Sequence, residues 1–241
     1  MGRTLFWDFD GTLVHSQVLW SGAVHRALRQ CCPDTAVTLE QIRGPMRFGF
    51  TWHTPEEDYT ACTGPAWWAR MFRRFEDIYG QLGVDAETAR RASPLVRCLI
   101  LKPENYTLYP DAPDTLRACR AMGWRNCLLS NNYPELPAIL DALGLSELFD
   151  DVVVSALVGW DKPRREIFDY ARNLAGYPQR CIMIGDNPVA DIVGAKAAGM
   201  LAVHVHGKEA CEADFQCAEL AQIPQWLLAE EAYSSLTMSM P

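Results

Sequence analysis

Apolar residues fall into two kinds of run that alternate along the chain. Thr4 to Asp8, Arg125 to Ser130, Asp151 to Ser155, Arg180 to Asp186 and Leu201 to Val205 are short runs rich in apolar side chains. Nearly continuous rather than alternating apolarity at this length predicts strands covered on both faces, as in a parallel sheet. Asp111 to Met122, Pro134 to Leu143, Pro163 to Leu174 and Val189 to Ala198 have helical spacing instead, and Gly123, Gly144, Gly176 and Gly199 follow as stop signals. Repeated strand and helix units predict an α/β fold, a doubly wound parallel sheet of Rossmann-like type.

The alternation is interrupted from about Val14 to Leu108, which offers amphipathic helices and no convincing strand. The reading is therefore an α/β core of residues 1–14 and 108–230, an inserted all-helical domain over 15–107, and a flexible tail over 231–241. Thr38-x-x-Gln41 and Thr54-Pro55-Glu56-Glu57 read as capping boxes, predicting helix starts near residues 39 and 55. Trp67, Met71, Phe75, Ile78 and Tyr79 share one helical stripe, with Arg70, Arg73, Arg74 and Asp77 opposite. Pro94 is expected to start, kink or break the next helix.

Composition narrows the function. With 22 basic and 30 acidic residues the formal charge is −8, which argues against nucleic acid as a partner. No apolar run reaches the ~18 residues of a membrane span, and MGRTLFWDFDGTL lacks the pattern of a secretory leader, so a cytoplasmic protein is expected. The nine cysteines are scattered and never spaced C-x-x-C, which predicts reduced, structural thiols rather than a disulfide framework or a zinc site.

Four strand ends carry the candidate chemistry. Asp8-Phe9-Asp10-Gly11-Thr12-Leu13 follows the first strand, and acids at i and i+2 leaving a strand aim to one side, with Gly11 permitting the turn. Ser130 ends the second strand in Ser130-Asn131-Asn132, where a hydroxyl and backbone N–H groups can either hold phosphate oxygens or cap the following helix. Lys162, one of four lysines, opens a helix after the third strand; a cation there is unfavourable to the helix dipole unless something anionic faces it. Gly185-Asp186 and Asp191 follow the fourth strand. Four converging carboxylates repel one another and call for a hard divalent cation, for which Mg²⁺ is the natural choice.

These motifs, in this order over residues 4 to about 205, resemble the haloacid dehalogenase superfamily, in particular its phosphatases with a helical cap inserted after the first motif, the phosphoglycolate-phosphatase-like branch. The resemblance implies a nucleophilic Asp8 forming an aspartyl-phosphate, and Asp10 as general acid and then general base. It implies Mg²⁺ on Asp8, Asp186 and the Asp10 carbonyl, with Asp191 orienting the metal's ligands or Lys162. Gly11, Thr12, Ser130, Asn131 and Lys162 would hold the phosphoryl oxygens of a small phosphorylated metabolite such as phosphoglycolate, a sugar phosphate or a nucleoside monophosphate.

Asp10 favours phosphoryl chemistry over dehalogenation, because a halide leaves without a proton. Residues 14 to 101 contain no lysine, which disfavours phosphonate hydrolysis and weakens a phosphosugar mutase as the alternative. A non-catalytic protein binding phosphate and metal, and a phospho-accepting receiver module, stand as readings of another class. His15 lies where the chain leaves the core and reads as a hinge residue or a catalytic one. The loop over residues 43–53, with Arg47, is a candidate substrate reader whose aromatics could equally pack the cap. The chain is expected to be a monomer or a homodimer.

Overall fold

The computed structural model describes residues 2–16, 19–207 and 211–237. Strand β1 (Arg3–Trp7) leads through a tight turn into β2 (Val14–His15), and α1 (Leu19–Cys31), α2 (Leu39–Arg43), α3 (Pro65–Gln81) and α4 (Ala86–Ile100) follow. The chain returns through β3 (Thr107–Leu108) and α5 (Ala112–Ala121) to β4 (Arg125–Ser130), α6 (Leu136–Ala142), β5 (Asp151–Val154), α7 (Ser155–Val158) and α8 (Arg165–Leu174). It ends with β6 (Arg180–Gly185), α9 (Gly194–Ala197), β7 (Leu201–Val205), β8 (Phe215–Cys217) and α10 (Ile223–Thr237).

The six-stranded sheet has the order β5-β4-β1-β6-β7-β8, and every pairing is parallel. Strands are added outward from β1 on one side, then the chain crosses to β6 on the other. The carboxyl end of β1 is therefore a topological switch point, where open α/β sheets bind ligands. Side chains alternate across the sheet as the pleat requires. Phe6, Cys127, Leu129 and Met183 pack with Ile167, Phe168 and Ala171 of α8. Leu5, Trp7, Leu128, Ile182 and Ile184 face the other way and share a cluster with α5, α10 and the inserted helices.

The two crossings between core and insertion pair as an antiparallel ribbon, Val14 opposite Leu108 and His15 opposite Thr107. This ribbon and β8 are the strands that hydrophobic patterning does not reveal. The predicted stripe of α3 is buried as expected, with Trp67, Met71, Phe75, Ile78 and Tyr79 inside. Thr38 caps α2 in a reciprocal capping box with Gln41. The second predicted box forms no helix: Asp58 accepts from the backbone N–H and the hydroxyl of Thr60, at 3.0 and 2.8 Å. That local turn competes with a helix. Pro94 lies inside α4, which continues to Ile100. Helix α10 extends to Thr237, into the segment expected to be a tail; residues 238–241 lie outside the described residues.

Candidate active site

Parallel register brings the four predicted motifs to one edge. Trp7 is level with Leu128 and Ile184 on its two neighbours, so Asp8 leaves β1 beside the ends of β4 and β6. Asp8 stays tied to the sheet, donating its backbone N–H to the Ile184 carbonyl at 2.9 Å. The turn beyond it closes when Leu13 and Val14 donate to the Phe9 carbonyl. A cavity of about 470 Å³ opens above, lined by Asp8, Asp10, Ser130, Lys162, Asp186 and Asp191 among others.

Lys162 is 1% exposed and sits between two carboxylates, its Nζ 2.9 Å from Asp8 Oδ1 and 2.6 Å from Asp191 Oδ1. Burial alone favours the neutral amine, but Asp191 and Asp8 carry its pKa above the ordinary lysine value. The backbone of Lys162 is clamped by Asn131, whose Oδ1 accepts from the Lys162 N–H at 2.7 Å while its Nδ2 donates to the Lys162 carbonyl at 2.9 Å. Asn131 lines the cavity, and its side-chain amide is engaged in holding the lysine.

Asp10 accepts a hydrogen bond on Oδ2 from Asn132 Nδ2 at 2.8 Å, while its Oδ1 is buried without a partner. Burial, reinforced by Asp8 and opposed by Asn132, pushes its pKa up to about 7. A carboxyl poised near neutrality can both deliver and accept a proton. Asn132 is a contributor that residue-type reasoning passes over, because an amide beside Ser130 carries no distinctive signal.

Carboxylate oxygens of Asp8, Asp186 and Asp191 lie within 4.8 Å of one another. Burial, then repulsion from Asp8, pushes Asp186 up to about 6. An oxygen-only donor set with this mutual repulsion fits a hard divalent cation. Asp186 is held by the Thr12 hydroxyl, which donates to Oδ1 at 3.2 Å, and its carbonyl accepts from His204 Nε2 at 3.0 Å. Thr12 is fully buried and outside the cavity lining, where its hydroxyl positions Asp186. Asp191 lies in a single π-helical turn, Pro188–Val193, rather than the regular helix expected there. The wide turn lets its Oδ2 accept from the Asn187 N–H at 3.0 Å while Oδ1 meets Lys162.

Two glycines make this crowding possible. A Cβ on Gly11, whose φ is +80°, would stand 2.2 Å from Asp186 Oδ2, and one on Gly185 would stand 2.1 Å from Asp191 Oδ2. Gly11 thus serves the acid cluster rather than lining the cavity. Gly11→Ala is expected to cost about 1–2 kcal/mol from the left-handed backbone and to displace Asp186. Affinity for a divalent cation at the cluster should fall more than ~10-fold, the scale of lost metal-site support, as read by a melting curve beside a metal titration.

The inserted segment packs against the loop that carries Lys162. Tyr59 donates its N–H to the Gly159 carbonyl at 3.1 Å, Gly64 to Ala156 at 2.9 Å, and Arg164 Nη1 donates to the Glu56 carbonyl at 2.9 Å. Asp161, fully buried beside Lys162, faces Thr51 of the insertion; burial pushes its pKa up to about 7 against the pull of Thr51 and Lys162. Sequence reasoning missed Asp161 because one acid next to a lysine reads as a surface pair. Arg47 is exposed and does not line the cavity; it borders a separate hollow with Arg43, Met46, Leu19 and Trp20. His15 is exposed, its Nδ1 donating to the Thr107 carbonyl at 3.1 Å within the ribbon, and it too is outside the cavity lining.

A parallel α/β sheet thus brings an acid cluster and one buried lysine together at its switch point. The haloacid dehalogenase-like hydrolase family profile matches residues 3–199. The chain belongs to the haloacid dehalogenase-like hydrolases. It is 33% identical over 154 residues to human haloacid dehalogenase-like hydrolase domain-containing protein 3, covering 62% of this chain and 59% of that protein. Over 142 residues it is 35% identical to a phosphoserine phosphatase of Thermus thermophilus, covering 57% and 56%. The match thus spans little more than half the length of these two relatives. A solved phosphatase of the family from Thermococcus onnurineus superposes with a TM-score of 0.66 at 21% identity, covering 93% of this chain and 97% of its own. That likeness concerns the fold.

Proposed function

We propose that the chain is a Mg²⁺-dependent phosphatase of small phosphomonoesters, acting through an aspartyl-phosphate on Asp8. The observation that carries this reading is the pairing at the cavity floor of an Asp8 carboxylate anchored by Lys162 with an Asp10 carboxyl poised near pH 7. Two of the chain's relatives are named as a phosphoserine phosphatase and a pyrimidine 5′-nucleotidase, and their shared chemistry agrees with it.

In the first half-reaction an Asp8 carboxylate oxygen attacks phosphorus, the bond from phosphorus to the leaving oxygen breaks, and Asp10 delivers its proton to that oxygen. In the second, Asp10 takes a proton from water as the water oxygen attacks phosphorus, releasing inorganic phosphate and restoring Asp8. Lys162 would meet the phosphoryl oxygens from the Asp8 side, and Ser130 lines the same cavity. Asp8 and Asp186, with Asp191 behind them, would hold the Mg²⁺, which supplies charge neutralisation for the approach of a carboxylate to a phosphate. Among the lining residues Lys162 is the lone cation, and the insertion contributes none.

The ribbon crossings and the docked insertion support a division into an α/β core and a helical cap. Nine unpaired thiols suit the reducing cytoplasm, and no helix among the described residues is long and apolar enough to cross a membrane. The test is phosphate release from a panel of phosphomonoesters in Mg²⁺ and in chelator. Release should vanish with chelator and return with added Mg²⁺; equal rates in both would overturn the metal's role.

A further inference from the structure

The cavity has two unlike halves. Its floor is charged and comes from the core. Its wall comes from the insertion, from the start of α1 and the stretch between α2 and α3: Leu19, Trp20, Trp52 and Pro55, with Ser16 at the margin. Neither an arginine nor a carboxylate of the insertion is among the lining residues. The floor's lysine is already held between Asp8 and Asp191. Arg43 and Arg47, the nearby cations of the insertion, border the separate hollow instead.

The two indoles are fixed by other rings. Trp52 stacks on Phe50 with centroids 4.5 Å apart and planes 16° from parallel, and Trp20 meets Phe50 edge-on at 4.9 Å. Both tryptophans are half-buried, so part of each faces the opening. A preorganised aromatic wall gains area and offset stacking from a flat ring at little ordering cost. An anionic leaving group would meet the negative faces of the indoles and lose water without finding a cation.

We infer, on the phosphatase reading above, that this wall selects phosphomonoesters whose leaving group carries an uncharged flat ring, an aryl or nucleoside group, and discriminates against those bearing a carboxylate. Trp20 and Trp52 are then specificity-determining residues. The volume of about 470 Å³ accommodates one ring with its phosphate, within the ~300–1,000 Å³ of small-molecule sites.

The experiment has two arms. Phosphate release by the native chain is measured on phenyl phosphate, uridine 5′-monophosphate, phosphoglycolate and phosphoserine with Mg²⁺. Uridine monophosphate and phosphoglycolate both leave as alkoxides, so their ratio reports the wall and not leaving-group acidity. Binding of the same four is measured by calorimetry on Asp8→Asn, which cannot turn them over. The expected result is a preference of about 10-fold or more for the ring-bearing pair in both arms, the size of one base stacked on an aromatic side chain. The better of phenyl phosphate and uridine monophosphate identifies the source of the ring. Acid-bearing compounds that bind Asp8→Asn equally or better overturn the inference while leaving turnover intact. Absence of release beside ring-selective binding overturns the phosphatase reading and upholds the wall. Trp52→Ala should erase most of the preference. Pro55→Lys, at a half-buried turn, should shift it toward phosphoglycolate by adding a cation, and an unchanged ratio in both variants refutes the assignment.

Discussion

Asp8→Asn should abolish phosphate release, with a loss on the order of 10⁴–10⁶ in kcat, the range for single members of a covalent catalytic unit. The asparagine amide cannot attack phosphorus, and the remaining groups have no substitute nucleophile: Asp10 is tied to Asn132, Asp191 to Lys162 and Asp186 to Thr12. Stability should change little, because Lys162 keeps Asp191 as a partner at 2.6 Å and one charge leaves a crowded cluster. Acid-quenched samples of the native chain should carry one added phosphoryl group by intact mass, and Asp8→Asn none. A variant that still accumulates that mass would move the nucleophile elsewhere.

The parts of this site that could be read in advance are those where one residue type in one place has few physical uses. Acids at a buried strand end, a lysine opening a helix and a glycine directly after two carboxylates each conflict with local preference, and such conflicts mark function. The core strands were equally legible, since runs buried on both faces such as Arg180–Gly185 have no polar alternation to disguise them. What escaped depends on tertiary contacts. The ribbon of Val14–His15 and Thr107–Leu108 is too short to leave a period, and Phe215–Cys217 is a three-residue edge strand. The helix predicted at Thr54 gives way to the turn of Asp58 and Thr60, and the residues beyond it dock on Gly159 and Ala156. The role of Asn131 as a clamp on Lys162, and the exclusion of Arg47 from the cavity, follow from where loops land, which residue spacing does not encode.

Removing the buried cation should have the largest effect on the fold itself. Lys162→Met leaves the fully buried Asp191 and the neighbouring Asp8 without their shared partner. Breaking a buried pair in this way costs about 3–5 kcal/mol, or roughly 6–20 °C in Tm for a chain of this size. Phosphate release should be lost as well, since the phosphoryl oxygens lose the lysine. The two losses are separable. In Lys162→Met with Asp191→Asn, the neutral amide oxygen still accepts from the Asn187 N–H, so most of the stability should return while activity does not. The pH dependence follows from the same charges. Burial raises the pKa of Asp191 and Lys162 opposes that rise, so deleting the lysine raises it further. A carboxyl whose folded-state pKa exceeds its unfolded value contributes stability at acid pH that is lost as the pH climbs through the folded pKa. In metal-free buffer, therefore, Lys162→Met should melt highest in acid and lose stability through neutrality, whereas the double variant should show a flatter profile. Parallel profiles for the two would mean that Asp191 does not carry the unpaired charge.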